Sequence, residues 1–166
     1  MKRIVAVLGT AAAVAILAVL LAPDARAIGG CDGPGDCSIP GVTITDVSPD
    51  GGTTGAPPST NVTVVMDEAM ACSLDNRNFY LKKLGARRRV QATVTSGQMT
   101  STLDPLNDLK MGARYKATIA LTRVSGPGWY FKSSACQAQF GSISDPSATF
   151  NSESGKITWT FQTASS

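Results

Sequence analysis

The chain has 166 residues, of which 43% are hydrophobic and 16% charged, and its 15 basic and 12 acidic residues give a net charge of +3. This length allows one domain with a sizeable core and is short for two, and so small a charge does not indicate a nucleic-acid partner. The sequence contains no histidine, which excludes Ser-His-Asp and Cys-His catalytic arrangements and imidazole metal sites.

The N-terminal segment has the pattern of a secretory signal peptide. Lys2 and Arg3 precede an apolar run that ends at Leu21, and the segment closes with Ala25-Arg26-Ala27, so we expect cleavage after Ala27. Two alternatives stay open. The apolar run from Ile4 to Leu21 reaches the roughly 18 residues at which a membrane-spanning helix becomes possible. Residues 28–31 loosely resemble the lipobox that precedes the lipid-modified cysteine of bacterial lipoproteins.

Removal of residues 1–27 changes the charge balance. It takes away three of the 15 basic and one of the 12 acidic residues, which leaves 12 against 11 and a net charge of +1. For the mature chain we therefore expect no nucleic-acid partner and no stable membrane insertion. Residues 28–41 are rich in glycine and predict an arm ahead of the domain.

All four cysteines follow the expected cleavage site; they are Cys31, Cys37, Cys72 and Cys136. An even number in an exported protein favours disulfides, and three pairings are possible. We favour Cys31 with Cys37, which are close in sequence, and Cys72 with Cys136, which would tie an irregular insertion to the domain. The intervening segments of 5, 34 and 63 residues lack the C-x-x-C-like pair typical of zinc sites, so we expect no metal and no cofactor.

Short runs of alternating apolar and polar residues predict strands along the rest of the chain. Their ranges are 42–47, 62–66, 79–81, 90–94, 98–103, 115–121 and 157–161, and the alternation slips after Asp46. Pro49 to Gly52 is predicted as a turn and residues 53–60 as a loop. About seven short strands separated by turns are typical of an antiparallel, immunoglobulin-like β-sandwich. We expect this all-β domain to occupy residues 42–166, with an insertion at residues 125–156.

Four motifs occur in an order that resembles the bacterial Ig-like domains of S-layer and other surface proteins: Pro49 to Gly52, Glu68 to Met70, Leu109 to Tyr115, and Trp159 to Thr163. The resemblance covers residues 42–163 and implies a sandwich that binds or spaces other molecules. Two features depart from the family pattern. Residues 123–128 replace an Asp-x-x-Gly-Asn-like turn, and the chain has one copy of a module that usually repeats.

The insertion contains three consecutive aromatic residues, Trp129, Tyr130 and Phe131. Because successive strand residues face opposite sides, at least one of them should point outward in an extended segment. Such a ring could stack on a sugar or anchor a protein partner. The interpretation we favour is that Trp129 and Phe131 cover the end of the sandwich and Tyr130 is partly exposed, because small domains use aromatic side chains for burial first.

A basic group surrounds Gly85 and consists of Lys82, Lys83, Arg87, Arg88 and Arg89. We expect these residues on one hairpin, where they could hold an anionic envelope polymer. A solvated loop is the favoured alternative. No aromatic residue is interleaved with the arginines, which disfavours nucleic acid.

The acidic residues give no sign of a calcium or catalytic site. Asp46, Asp50 and Asp104 follow no EF-hand spacing, and Asp67 and Glu68 would face opposite sides of a strand. The sequence therefore predicts a secreted or cell-surface module, not an enzyme, with a structural or binding role at the envelope or outside the cell. An envelope polymer, a glycan or a surface protein would be its partner. The alternative is a carbohydrate-binding or enzyme-accessory module that uses Trp129 to Phe131.

Overall fold

The computed structural model describes residues 41–67, 74–123, 128–132 and 137–166. Within these ranges the chain forms twelve strands: β1 (Val42–Ser48), β2 (Thr54–Ala56), β3 (Val62–Met66), β4 (Phe79–Lys83), β5 (Ala92–Ser96), β6 (Thr100–Pro105), β7 (Arg114–Ala120), β8 (Thr122–Arg123), β9 (Trp129–Lys132), β10 (Gln137–Ile143), β11 (Thr149–Asn151) and β12 (Lys156–Thr163). The signal peptide, most of the glycine-rich arm and all four cysteines lie outside the described residues.

The strands form two sheets. The seven-stranded sheet has the order β5-β6-β3-β1-β10-β9-β8, and the five-stranded sheet has the order β11-β12-β7-β4, with β2 beside β12. The all-β Ig-like sandwich is confirmed, and all seven predicted strands are present as β1, β3, β4, β5, β6, β7 and β12. Two pairings, β1 with β10 and β12 with β2, are parallel, which is possible because long stretches of chain separate their strands.

Alternation along the strands builds the core. Ile157, Trp159 and Phe161 on β12 are buried while the residues between them are not, because side chains on a strand point to opposite faces. In the opposite sheet, Ile44 and Val47 on β1 are both fully buried although they are three residues apart. A register shift against β3 lies between Ile44 and Asp46, and such a bulge returns the following residues to the core side. It accounts for the slip in alternation seen in the sequence.

The insertion is part of the sandwich. β9 and β10 extend the seven-stranded sheet beyond β1, and β11 forms an edge of the five-stranded sheet. Phe131 of β9 packs edge-on against Phe140 of β10, with 5.9 Å between the ring centroids, and Phe140 lies 4.7 Å from Phe150 of β11. The insertion thus adds aromatic side chains from both sheets to the core.

Asp145, in the turn after β10, connects the insertion to β1. Its carboxylate accepts hydrogen bonds from the backbone N–H of Val47 (2.8 Å) and of Ser147 (2.7 Å). Partial burial raises the pKa of Asp145, but the hydrogen bonds from Ser147 and Val47 outweigh it, and the net pKa lies below the usual value of 3.8. The ionised carboxylate is therefore stabilised by the fold.

Two sequence predictions about connections were wrong. Residues 53–60 are not entirely loop, because β2 pairs with the end of β12. The basic group around Gly85 is not on a hairpin between paired strands, because β4 belongs to the five-stranded sheet and β5 to the seven-stranded sheet. Residues 84–91 instead connect the two sheets.

Candidate functional site

The outer face of the five-stranded sheet carries a group of cationic side chains. On β4 and β7 the core-facing residues are buried, so Lys82 and Lys116 point to the opposite, solvent side. Lys82 pairs directly with Lys116 across these strands. On the next strand, β12, Lys156 lies on the same outer face and pairs with Ala120.

These lysines line an open groove with a volume of about 480 Å³. Thr118 and Thr158, which pair with each other between β7 and β12, form part of its surface, and the segment from Lys83 to Ala86 forms one end. No acidic residue lies among the lining residues of this groove. We call this surface the lysine groove and define it by Lys82, Lys83, Lys116 and Lys156 with the two threonines.

Like charges dominate the lysine groove. Lysines directly opposite each other on antiparallel strands repel one another and destabilise the pair by a few tenths of a kcal/mol. Within the described part of the chain, no ion pair to a carboxylate compensates Lys82, Lys116 or Lys156. The groove therefore concentrates positive charge well beyond the small net charge of the chain, and an anion bound there would relieve the repulsion.

Arg89 lies beside the groove but has a structural role. Its guanidinium is 3.6 Å from the centroid of the Tyr80 ring. One of its nitrogens, Nη1, donates hydrogen bonds to the backbone carbonyls of Asn76 (3.0 Å) and Arg77 (3.3 Å). Since Arg89 covers one face of the Tyr80 ring, that face cannot stack on a ligand.

The structure divides the basic group predicted from the sequence. Lys82 and Lys83 line the groove, while Arg87 and Arg88 are exposed on the segment between the sheets and are not among the lining residues. Sequence reasoning missed Lys116 and Lys156. Lys116 alternates with core residues on a predicted strand, so its outward direction was readable, whereas Lys156 lies one residue before the predicted range of 157–161. The position of both lysines in one groove with Lys82 depends on the register between strands.

The aromatic residues of the insertion are largely engaged within the fold. Phe131 is only 1% exposed, so its ring is not available to a ligand. Trp129 is half-buried; the guanidinium of Arg123 lies 4.7 Å from its ring centroid, and the Phe150 ring meets it edge-on at 6.2 Å. Tyr130 is also half-buried. The binding role considered for these three residues stays a prediction.

A second groove, of about 490 Å³, lies where β10 approaches β11. Trp129, Phe140 and Phe150 contribute to its lining together with Gly141, Ser142 and Thr149. Most of its lining side chains are aromatic or small, and none of the described lining residues is charged. Through this groove part of Trp129 faces the surface.

No three side chains of the metal-ligating types His, Cys, Asp and Glu come together in the described residues. In that part of the chain there is also no helix with the length and apolar character needed to cross a bilayer.

The fold and its surfaces define the class of protein: an Ig-like β-sandwich whose five-stranded sheet has a cationic outer face. The chain belongs to the bacterial Ig-like domain family, whose sequence profile matches residues 39–126. This match covers β1 to β8 and ends where the insertion begins. The family resemblance seen in the sequence is confirmed.

A crystal structure of the S-layer protein rSbsC is similar, with 16% sequence identity and a TM-score of 0.41. The similarity covers 75% of this chain and 14% of that chain, so the present chain spans a small part of the S-layer protein's length. No curated protein matches the chain.

Proposed function

We propose that this protein is an exported, non-catalytic Ig-like module with a structural or binding role at the cell envelope or outside the cell. The observation that carries the proposal is the family match over residues 39–126. The N-terminal sequence pattern supports export. The lack of histidine and the continuous core of the sandwich support a role that does not depend on catalysis.

Export and processing can be tested together on the protein from its native host. We would measure its intact mass, with and without reduction, in culture medium and in envelope fractions. A chain that starts at Ile28 and gains about four hydrogens on reduction would support secretion with two disulfides, each of which accounts for two. A lipid-sized increment on a chain that starts at Cys31 would support a tethered surface protein, and a full-length chain recovered only from the cytoplasm would contradict the proposal.

A second candidate is a carbohydrate-binding or enzyme-accessory module that uses Trp129 and Tyr130. The groove between β10 and β11 favours it, because Trp129 and Phe150 give it an aromatic lining suited to a sugar face. The contacts of Trp129 with Arg123 and Phe150 weigh against it. A glycan-binding screen of the wild type and Tyr130→Ala separates the candidates. Binding that Tyr130→Ala abolishes supports the module, and no binding to any envelope or plant polymer rules it out.

A further inference from the structure

We infer that the lysine groove binds an acidic polysaccharide, one whose sugar units carry carboxylates. This inference rests on the proposed function, since such polymers would be met at the envelope or outside the cell. It names the chemistry of the partner and the surface that receives it. The fold does not explain the cations, their spacing suits a chain of anions, and the remaining groove residues suit sugars.

The lysines are not required by the sandwich. Lysines on an edge strand can protect it from pairing with another chain, and this could explain Lys82 on β4, which is an edge of its sheet. It cannot explain Lys116 and Lys156, because β7 and β12 are interior strands. Lys116 faces Lys82 directly, and among the described residues no carboxylate pairs with either lysine. The arrangement therefore costs stability and is better explained by an anionic ligand.

The spacing of the cations suits an extended polymer. Lys82 and Lys116 lie on adjacent strands, whose axes are about 4.8 Å apart. Lys156 pairs with Ala120, four residues along β7 from Lys116, which places its backbone about 14 Å further along the sheet because a strand advances about 3.4 Å per residue. The three charges are thus distributed along the groove and can contact successive charged units of one chain.

The other groove residues favour a polysaccharide over nucleic acid. Thr158 lies between the lysines and is half-buried, so its hydroxyl can exchange hydrogen bonds with sugar hydroxyls. Thr118 beside it is only 4% exposed and contributes little to such contacts. Nucleic-acid strands are held by bases stacked on aromatic rings, but the one aromatic residue lining this groove, Tyr80, has a ring face covered by Arg89.

The test measures binding of the exported protein to polygalacturonate by titration calorimetry at low and moderate salt, with dextran as the neutral polymer. Lys116→Gln/Lys156→Gln removes two groove cations. Arg87→Gln/Arg88→Gln is the matched control, because it removes the same charge from exposed positions outside the groove. We expect the groove variant to lose about tenfold or more in affinity, the effect of losing strong charge-assisted hydrogen bonds. The control should change by less than about twofold, since exposed charges act only through screened, long-range attraction.

A stability measurement separates ligand binding from damage to the fold. Lys116→Gln removes the repulsion with Lys82, so its thermal midpoint should equal or exceed that of the wild type while its affinity falls. Equal losses in both double variants, or wild-type binding to dextran as strong as to polygalacturonate, would overturn the inference. Tighter binding to a single-stranded oligonucleotide would assign the groove to nucleic acid instead and overturn it as well. None of these results bears on whether the protein is exported, which fractionation decides independently.

Discussion

The turn between β11 and β12 offers a sharp test of the packing of the insertion. Gly155 is buried in this turn with φ of +62°, and a Cβ added there would lie 2.5 Å from both Cε3 and Cη2 of Trp129. Gly112 has nearly the same backbone conformation, with φ of +63°, but a Cβ at this position would meet nothing closer than Ser165 Oγ at 3.8 Å. The pair Gly155→Ala and Gly112→Ala therefore separates backbone strain from steric conflict.

The expected magnitudes follow from this comparison. A left-handed alanine costs about 1 to 2 kcal/mol, offset by about 0.4 to 1 kcal/mol from the reduced freedom of the unfolded chain, so Gly112→Ala should destabilise by about 1 kcal/mol. Gly155→Ala carries the same strain and adds overpacking against Trp129, which costs about 1 to 3 kcal/mol more. The difference between the two variants should thus be about 1 to 3 kcal/mol.

Equilibrium unfolding in urea, monitored by tryptophan fluorescence and far-UV circular dichroism, measures both free energies, provided that the m-value is unchanged. Trp129→Ala supplies the control. In that background the ring is absent, and Gly155→Ala should cost no more than Gly112→Ala does, a coupling of about 1 to 3 kcal/mol between the two sites. Equal costs for the two glycine variants, or an undiminished cost without the Trp129 ring, would refute the described packing of β9 on this turn.

Three other substitutions test separate parts of the sandwich. Asp145→Asn should destabilise the domain by about 1 kcal/mol at pH 7 through weaker hydrogen bonds to Val47 and Ser147. Because the pKa of Asp145 is lowered in the folded state, this stability is present above pH 3.8 and is lost as the pH falls through the folded pKa. Urea melts at pH 7 and pH 3 should show that the difference in unfolding free energy between wild type and variant becomes smaller at pH 3. A difference that stays constant would contradict the linkage. Thr163→Val should destabilise the domain by about 1 to 3 kcal/mol, since Thr163 is 1% exposed and its hydroxyl donates to the Lys110 carbonyl (2.6 Å) and accepts from the Ala113 N–H (3.1 Å). Thr160→Val, at a half-buried position, is the control. Equal unfolding free energies for the two variants would argue against these hydrogen bonds. Phe131→Ala should destabilise the domain by about 3 to 5 kcal/mol by leaving a core cavity, whereas Tyr130→Ala should destabilise it less. A larger loss of stability for Tyr130→Ala in the same melts would contradict the burial of Phe131 in the core.

The strands that were predicted from the sequence are those in which a core face alternates with a polar face. β12 is the clearest case, because Ile157, Trp159 and Phe161 alternate with threonines and all three are buried. The three-residue strand β2 was missed because Gly55 and Pro57 favour a turn locally, and its pairing partner is more than a hundred residues away. In β9 all three residues from Trp129 to Phe131 are aromatic, so the sequence does not show which of them is buried; in the structure Phe131 is buried and the other two are half-buried.

The candidate site could be predicted only in part, for a related reason. The basic residues around Gly85 are adjacent in sequence and were found, although the structure places just Lys82 and Lys83 of this group in the groove. Lys116 and Lys156 join them through cross-strand register. Register is set by which residues of β4, β7 and β12 pack together in the core, and no local pattern contains that information. The disulfide pairing stays a prediction, since all four cysteines lie outside the described residues.

The order of strands has a consequence for dissecting this protein into fragments. The family match ends at residue 126, yet β12 lies between β11 and β7, and β10 covers one side of β1. A fragment cut at the end of the match would leave the hydrogen-bonding groups of β1 and β7 open along one side, and exposed strands of this kind recruit other chains. It would also lack three of the largest core side chains, those of Phe131, Trp159 and Phe161. We therefore expect that residues 39–126, which match the family profile, do not fold on their own and that their excision yields aggregates rather than a smaller native domain.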